Sequence, residues 1–91
     1  MSVITSQNER SLGFETLSPA TATSLNAPSN TDVVLISVDT DDIRWRDDGV
    51  DPTASVGNLI QPEQNFRYIG DFQKIRFIGS GNVFVSYYEK I

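Results

Sequence analysis

The sequence predicts an all-β fold, a small antiparallel β-sandwich (jelly-roll-like) or barrel with an extended N-terminal arm. Three observations carry that expectation. Short runs rich in β-branched and aromatic residues recur along the chain, with turn residues between them. Within the runs, apolar and polar residues alternate, as in Ile43-Arg44-Trp45-Arg46 and in Val83–Tyr88. No stretch of useful length shows the apolar periodicity of a helix.

The elements follow in order. Met1 to about Asp32 is rich in Ser, Thr, Asn and Ala, with turn signals at Ser18-Pro19, Ala27-Pro28 and Ser29-Asn30. Residues 1–12 read as an arm, flexible or ordered only by a partner. Residues 13–91 read as a single β-sandwich domain. Its first strands are expected at Gly13–Leu17 and Ala20–Leu25, where Phe14, Leu17 and Leu25 are the candidates for burial. Val33–Val38 is β-branched and apolar on both faces at its start, as a central strand would be. Ile43–Arg46 places Ile43 and Trp45 on one face and both arginines on the other. A loop over Asp47–Gly57 follows, then Asn58-Leu59-Ile60 and a turn at Gln61–Gln64. Asn65–Ile69 and Lys74–Ile78 are the next strands. Gly79-Ser80-Gly81-Asn82 reads as a hairpin connection into Val83–Tyr88, because its residues accept positive φ. The expected core is Val34, Ile36, Val38, Ile43, Trp45, Phe66, Ile75, Phe77, Val83 and Val85. Aromatic residues concentrate near the end, and each buries about 150–250 Å².

Composition narrows the function. The chain has 91 residues, and a domain of this size buries only about 60–65% of its unfolded surface. There is no cysteine, so neither a disulfide nor a thiolate site is available. There is no histidine, which removes the usual general base near neutral pH and the commonest metal ligand. A net charge of −5 argues against broad phosphate-driven nucleic-acid binding. No apolar run approaches the roughly 20 residues of a membrane span. Met1–Arg10 is polar and lacks the apolar stretch of a secretion signal. Neither nucleic acid nor membrane is therefore an expected partner.

Several constellations invite chemistry. Asp39, Asp41, Asp42, Asp47, Asp48 and Asp51 form an acidic cluster, and oxygen-rich turns bind calcium. Their spacing does not fit an EF-hand loop, and Asp at strand ends is explained by turn chemistry. No metal or cofactor is expected. A pair of glycosidase carboxylates needs a cleft and unlike environments, whereas these acids sit in short polar turns. A Ser or Thr nucleophile would have no base beyond Lys74 or Lys90. No enzyme is expected on these grounds. Arg44, Trp45, Arg46, Arg67, Tyr68, Lys74, Arg76 and Phe77 resemble a stacking surface for single strands. Alternation, however, puts arginines and aromatics on opposite faces, so an arginine-studded outer face over an aromatic core is the more economical explanation, and an acidic partner surface for the arginines is the alternative. Gly79-Ser80-Gly81 is no phosphate loop, since no Gly-Lys-Ser/Thr follows it.

A resemblance adds to this reading. Leu35–Thr40, Ile43-Arg44-Trp45-Arg46, Asp48-Gly49, Pro52–Gly57, Ile75-Arg76-Phe77-Ile78 and Val85-Ser86-Tyr87-Tyr88 look like the motifs of small structural virion proteins of tailed bacteriophages. Phe14–Leu17 corresponds to an early strand of that pattern, and the polar start Met1–Arg10 departs from it. The resemblance implies a non-enzymatic virion component, first of all a head decoration (cement) protein. Such a protein is made in the bacterial cytoplasm, forms a homo-oligomer such as a trimer, and on the capsid exterior bridges copies of the major capsid protein (or other virion subunits). A tail or head–tail adaptor component and a carbohydrate-binding module for the host surface are the rivals. The expected interface is Arg44, Arg46, Asp47, Asp48, Gly49, Asp51, Pro52 and Thr53. A self-contained turn is the competing explanation of that loop.

Overall fold

Eight strands and no helix are found among the described residues, 8–91, of the computed structural model. They are β1 (Glu9–Leu17), β2 (Thr23–Ser24), β3 (Val33–Asp39), β4 (Ile43–Arg46), β5 (Asn58–Ile60), β6 (Asn65–Tyr68), β7 (Arg76–Gly79) and β8 (Asn82–Lys90). One four-stranded sheet has the order β1-β8-β3-β6, and the other β2-β7-β4-β5. All pairings are antiparallel, and neither sheet closes on itself as a barrel would.

The pairing follows a simple rule. β1 pairs with β8, β2 with β7, β3 with β6 and β4 with β5. The chain is thus one long antiparallel ribbon folded back at the β4–β5 loop, residues 47–57. The added pairings β3–β8 and β4–β7 join neighbouring parts of the ribbon into the two sheets. Four connections cross between sheets at one end: residues 18–22, 40–42, 61–64 and 80–81. The loops 25–32, 47–57 and 69–75 gather at the other end. Asn8 lies there too, its carbonyl accepting from the N–H of Ile91.

Alternation sorts the side chains. Val34, Ile36 and Val38 of β3 stand opposite Tyr87, Val85 and Val83 of β8, and all six are buried. Ile43, Ile60, Ile75 and Phe77 meet them from the second sheet, with Leu17 and Leu25 closing the side. At about 25 cal/mol per Å², burying each such side chain stabilises the fold by about 1.5–3 kcal/mol. Val33 is also fully buried but stands outside this cluster, opposite Tyr88 on the outer face of its sheet. On the same face Phe14 stacks against Phe84 with ring centroids 6.2 Å apart, and Phe14 stays 63% exposed.

Four expectations are corrected. First, β1 starts at Glu9, inside the stretch read as an arm. Glu9, Arg10 and Ser11 pair with Lys90, Glu89 and Tyr88, and a bulge at Leu12 restores register at Gly13. Residues 1–7 lie outside the described residues. Second, the expected strand at Ala20–Leu25 shrinks to Thr23–Ser24. Third, Lys74 and Ile75 form a turn closed onto Asp71 rather than the start of a strand. Fourth, Gly79–Asn82 is not a hairpin, because β7 and β8 belong to different sheets. It crosses from one sheet to the other beside the β3–β4 connection, in which Thr40 takes a φ of 71°. A Cβ on Gly81 would come within 2.2 Å of the Asp41 carbonyl, and one on Gly79 within 2.4 Å of that of Asp42. The two crossings touch backbone to backbone, which demands glycine.

Candidate interaction surface

Alternation also decides what the β4 arginines face. Ile43 and Trp45 turn inward, so Arg44 and Arg46 project from the outer face of the second sheet. A stacking surface that mixes arginines with aromatics is therefore not built on this strand. Arg44 stands opposite Ile78 on β7 and Leu59 on β5, and Arg46 stands directly opposite Arg76. Like charges in that position oppose folding. Arg46 is compensated by Asp48, whose carboxylate accepts from Nε at 3.0 Å and from Nη2 at 2.5 Å. That bond holds the Asp48 carboxyl below its usual range. Among the described residues, Arg76 bonds only the carbonyls of Gln73 and Ile75, at 2.7 and 3.0 Å. Arg44 likewise bonds, among the described residues, only the carbonyls of Ala54 and Gly57, at 3.2 and 3.0 Å. Among the described residues, no carboxylate lies within 4.0 Å of Arg44 or Arg76.

The 47–57 loop is built by its own side chains. Gly49 takes a φ of 85°, a left-handed turn position that glycine adopts without steric cost. Pro52 is buried, and Gly57 lets it sit close to the β4 backbone: a Cβ there would stand 3.1 Å from Pro52 Cβ and 3.2 Å from the Trp45 carbonyl. Thr53 Oγ1 accepts from the N–H groups of Ser55 and Val56, at 3.3 and 3.0 Å. The Thr53 N–H closes the turn on the Val56 carbonyl at 2.8 Å.

The eight expected interface residues divide accordingly. Asp47 and Pro52 serve the fold, and Gly49 shapes the turn. Arg44 does both, bracing the loop from below while its side chain stays partly exposed. Arg46, Asp48, Asp51 and Thr53 lie on the surface. Arg76 is among the arginines that the sequence suggests for a partner surface but not among the eight expected interface residues, and nothing in the sequence singles out Leu59 and Ile78 for this face. Only the β4–β7 and β4–β5 registers bring them there. Leu59 is 45% exposed, and Val50 and Val56 on the loop are each 52% exposed.

The acidic residues behave as turn formers. Asp39 accepts from Asn82, Asp41 from the Asp42 N–H, and Asp71 from the N–H groups of Gln73 and Lys74. Among the described residues, no group of three or more potential ligands is placed to hold a metal ion.

Two tyrosines tie the loops to the sheets. Tyr68 donates to Asp47 Oδ2 at 2.6 Å and accepts the Asp71 N–H at 2.8 Å, joining the loops after β4 and β6. Tyr87 donates to Glu15, which also accepts from the Asn26 backbone and side chain at 2.9 and 2.8 Å. Burial, then the hydrogen bond to Asp47 or Glu15, raises both phenol pKa values above their ordinary value. Burial works against the Glu15 charge, but the bonds from Tyr87 and Asn26 outweigh it and lower that pKa. Raised phenol pKa values give stability that is complete below the unfolded value of about 10 and is lost as pH rises above it. The lowered Glu15 value gives stability that is lost as pH falls through the acidic range. Denaturation midpoints should therefore drop above about pH 10, and Tyr68→Phe with Tyr87→Phe should flatten that alkaline limb. An unchanged limb in the double variant would contradict this assignment.

Comparison with protein-family models, with curated proteins and with solved structures finds no match to this chain.

Proposed function

We propose that this protein is a non-enzymatic structural component of a tailed-bacteriophage particle, a decoration protein that docks on the capsid through the outer face of its second sheet. The observation that carries the proposal is the arginine row on that face. Arg44, Arg46 and Arg76 gather on adjacent strands of a chain whose net charge is −5. Arg76 stands against a like charge, and among the described residues no carboxylate lies within 4.0 Å to neutralise it. An acidic partner surface would relieve that arrangement, and Leu59, Ile78 and the loop valines would add apolar contact around it.

The fold reading that goes with this proposal is a jelly roll. Its support is the mirror-image pairing of β1 with β8 through β4 with β5, with the chain wound so that the 47–57 loop is the tip of the ribbon. A tight double sheet of this kind presents loops at one end and broad outer faces, geometry suited to a lattice of repeated subunits. The motif resemblance described above supplies the virion context.

Binding only to the assembled capsid stabilises that assembly by mass action, by about 2.7 kcal/mol per site at a hundredfold excess over Kd. Capsids lacking the protein should take it up in a fixed number of copies and then melt at a higher temperature. Uptake without saturation, or saturation without a gain in heat resistance, would overturn the decoration role.

A further inference from the structure

A second site lies where the sandwich opens between β5 and β6, the edge strands of the two sheets. Trp45 is expected in the core from alternation, and it does point inward. It remains only partly buried, beside the short edge strand β5, whose Asn58 stands opposite it. Its ring lies nearly parallel to that of Phe66, with centroids 5.7 Å apart and planes at 22°. Together they border a groove of about 420 Å³, whose other walls are Asn58, Leu59, Ile60, Gln64 and Asn65. That volume falls in the ordinary range for small-ligand sites, roughly 300–1,000 Å³.

The lining has a definite chemistry. It holds two aromatic rings, two aliphatic side chains and three carboxamides, and no ionisable group. This is notable in a chain with 12 acidic and 7 basic residues. A charged ligand would find no counter-charge there. Asn58 Nδ2 donates to the Trp45 carbonyl at 3.4 Å and Gln64 Oε1 accepts from the Gln61 N–H at 2.7 Å. Their opposite ends, Asn58 Oδ1 and Gln64 Nε2, have no partner among the described residues. One free acceptor and one free donor thus stand beside an aromatic pair. Adjacent hydroxyls on a pyranose ring donate and accept together, while the C–H face of the sugar packs on aromatic rings.

We infer that this groove binds a neutral saccharide. The inference does not rest on the capsid proposal: it needs no assembled particle and none of the arginines, although Leu59 borders both surfaces. Trp45 is the sole tryptophan, so its fluorescence reports the groove directly. The isolated protein should be screened against an array of neutral glycans, and then titrated with glucose-, galactose- and N-acetylglucosamine-based oligosaccharides. The expected result is a saturable change in Trp45 emission with at least one series. Asn58→Ala, at an exposed position, should weaken that binding about three- to tenfold while the melting temperature falls only slightly, from loss of the long bond to the Trp45 carbonyl. Phe66→Leu, which keeps an apolar side chain, should weaken it further. No saturable change with any saccharide would overturn the inference. So would binding unaffected by both variants, or saturation only by extended peptides adding a strand to β5 or β6.

Discussion

Gly81→Ala is expected to destabilise the domain by about 3 kcal/mol, as overpacking against a fixed backbone does. Its Cβ would press on the Asp41 carbonyl at 2.2 Å and the Asp39 carbonyl at 2.9 Å, neither of which is a flexible side-chain end. Relief requires moving either the β3–β4 or the β7–β8 crossing. Both are held in place by the strands that they join, and by the Gly79 N–H bond to the Pro19 carbonyl at 2.9 Å. Thermal denaturation should show a fall of roughly 12–24 °C for a domain of this size. Ser80→Ala next door, at an exposed position, should change stability by less than about 0.5 kcal/mol. Equal melting temperatures for the two variants would mean that the crossings do not touch.

Phe77→Ala should cost about 3–5 kcal/mol, the usual loss for removing a core ring and leaving a cavity. Phe77 is fully buried at the centre of the second sheet, between Thr23 on β2 and Trp45 on β4. Small domains have only about 5–15 kcal/mol of net stability, so this single change brings the protein close to its unfolding threshold. Phe77→Leu keeps most of the volume and should cost clearly less. Chemical denaturation of both variants measures the difference, and a Phe77→Ala loss under about 1 kcal/mol would contradict the placement of the core.

Much of this fold was legible in local pattern. The alternation of Val83, Val85 and Tyr87 named the inner face of β8, and Val34, Ile36 and Val38 did the same for β3. The turn chemistry of Pro52–Gly57 was equally visible, since Thr53 and Gly57 act within a few residues of themselves. What escaped was long-range. Gly-Ser-Gly-Asn has the same composition in a hairpin as in a sheet crossing, and only the backbone packed against it distinguishes the two. Alternation sent Trp45 and Phe66 inward correctly, but it carries no information about how far the neighbouring edge strand extends, so their partial exposure was missed. Tyr68 and Tyr87 join the core because Asp47 and Glu15 satisfy their hydroxyls, and both partners lie far away in sequence. Arg76 was visible as one of several outward arginines, but its place directly opposite Arg46 came only from register.

The docking face is tested most directly by Arg76→Glu. The substitution places an anion opposite Arg46, a pairing that favours the sheet or leaves it unchanged. It replaces one of three cations on the outer face, so binding can be read apart from folding. The measurement is saturable uptake of wild-type and variant protein by capsids that lack it, with melting temperatures recorded for both. The expected result is a folded variant that melts close to wild type, the new pairing with Arg46 offsetting the lost bonds to the Gln73 and Ile75 carbonyls, yet binds capsids on the order of 100-fold more weakly. Wild-type affinity in a well-folded variant would contradict it.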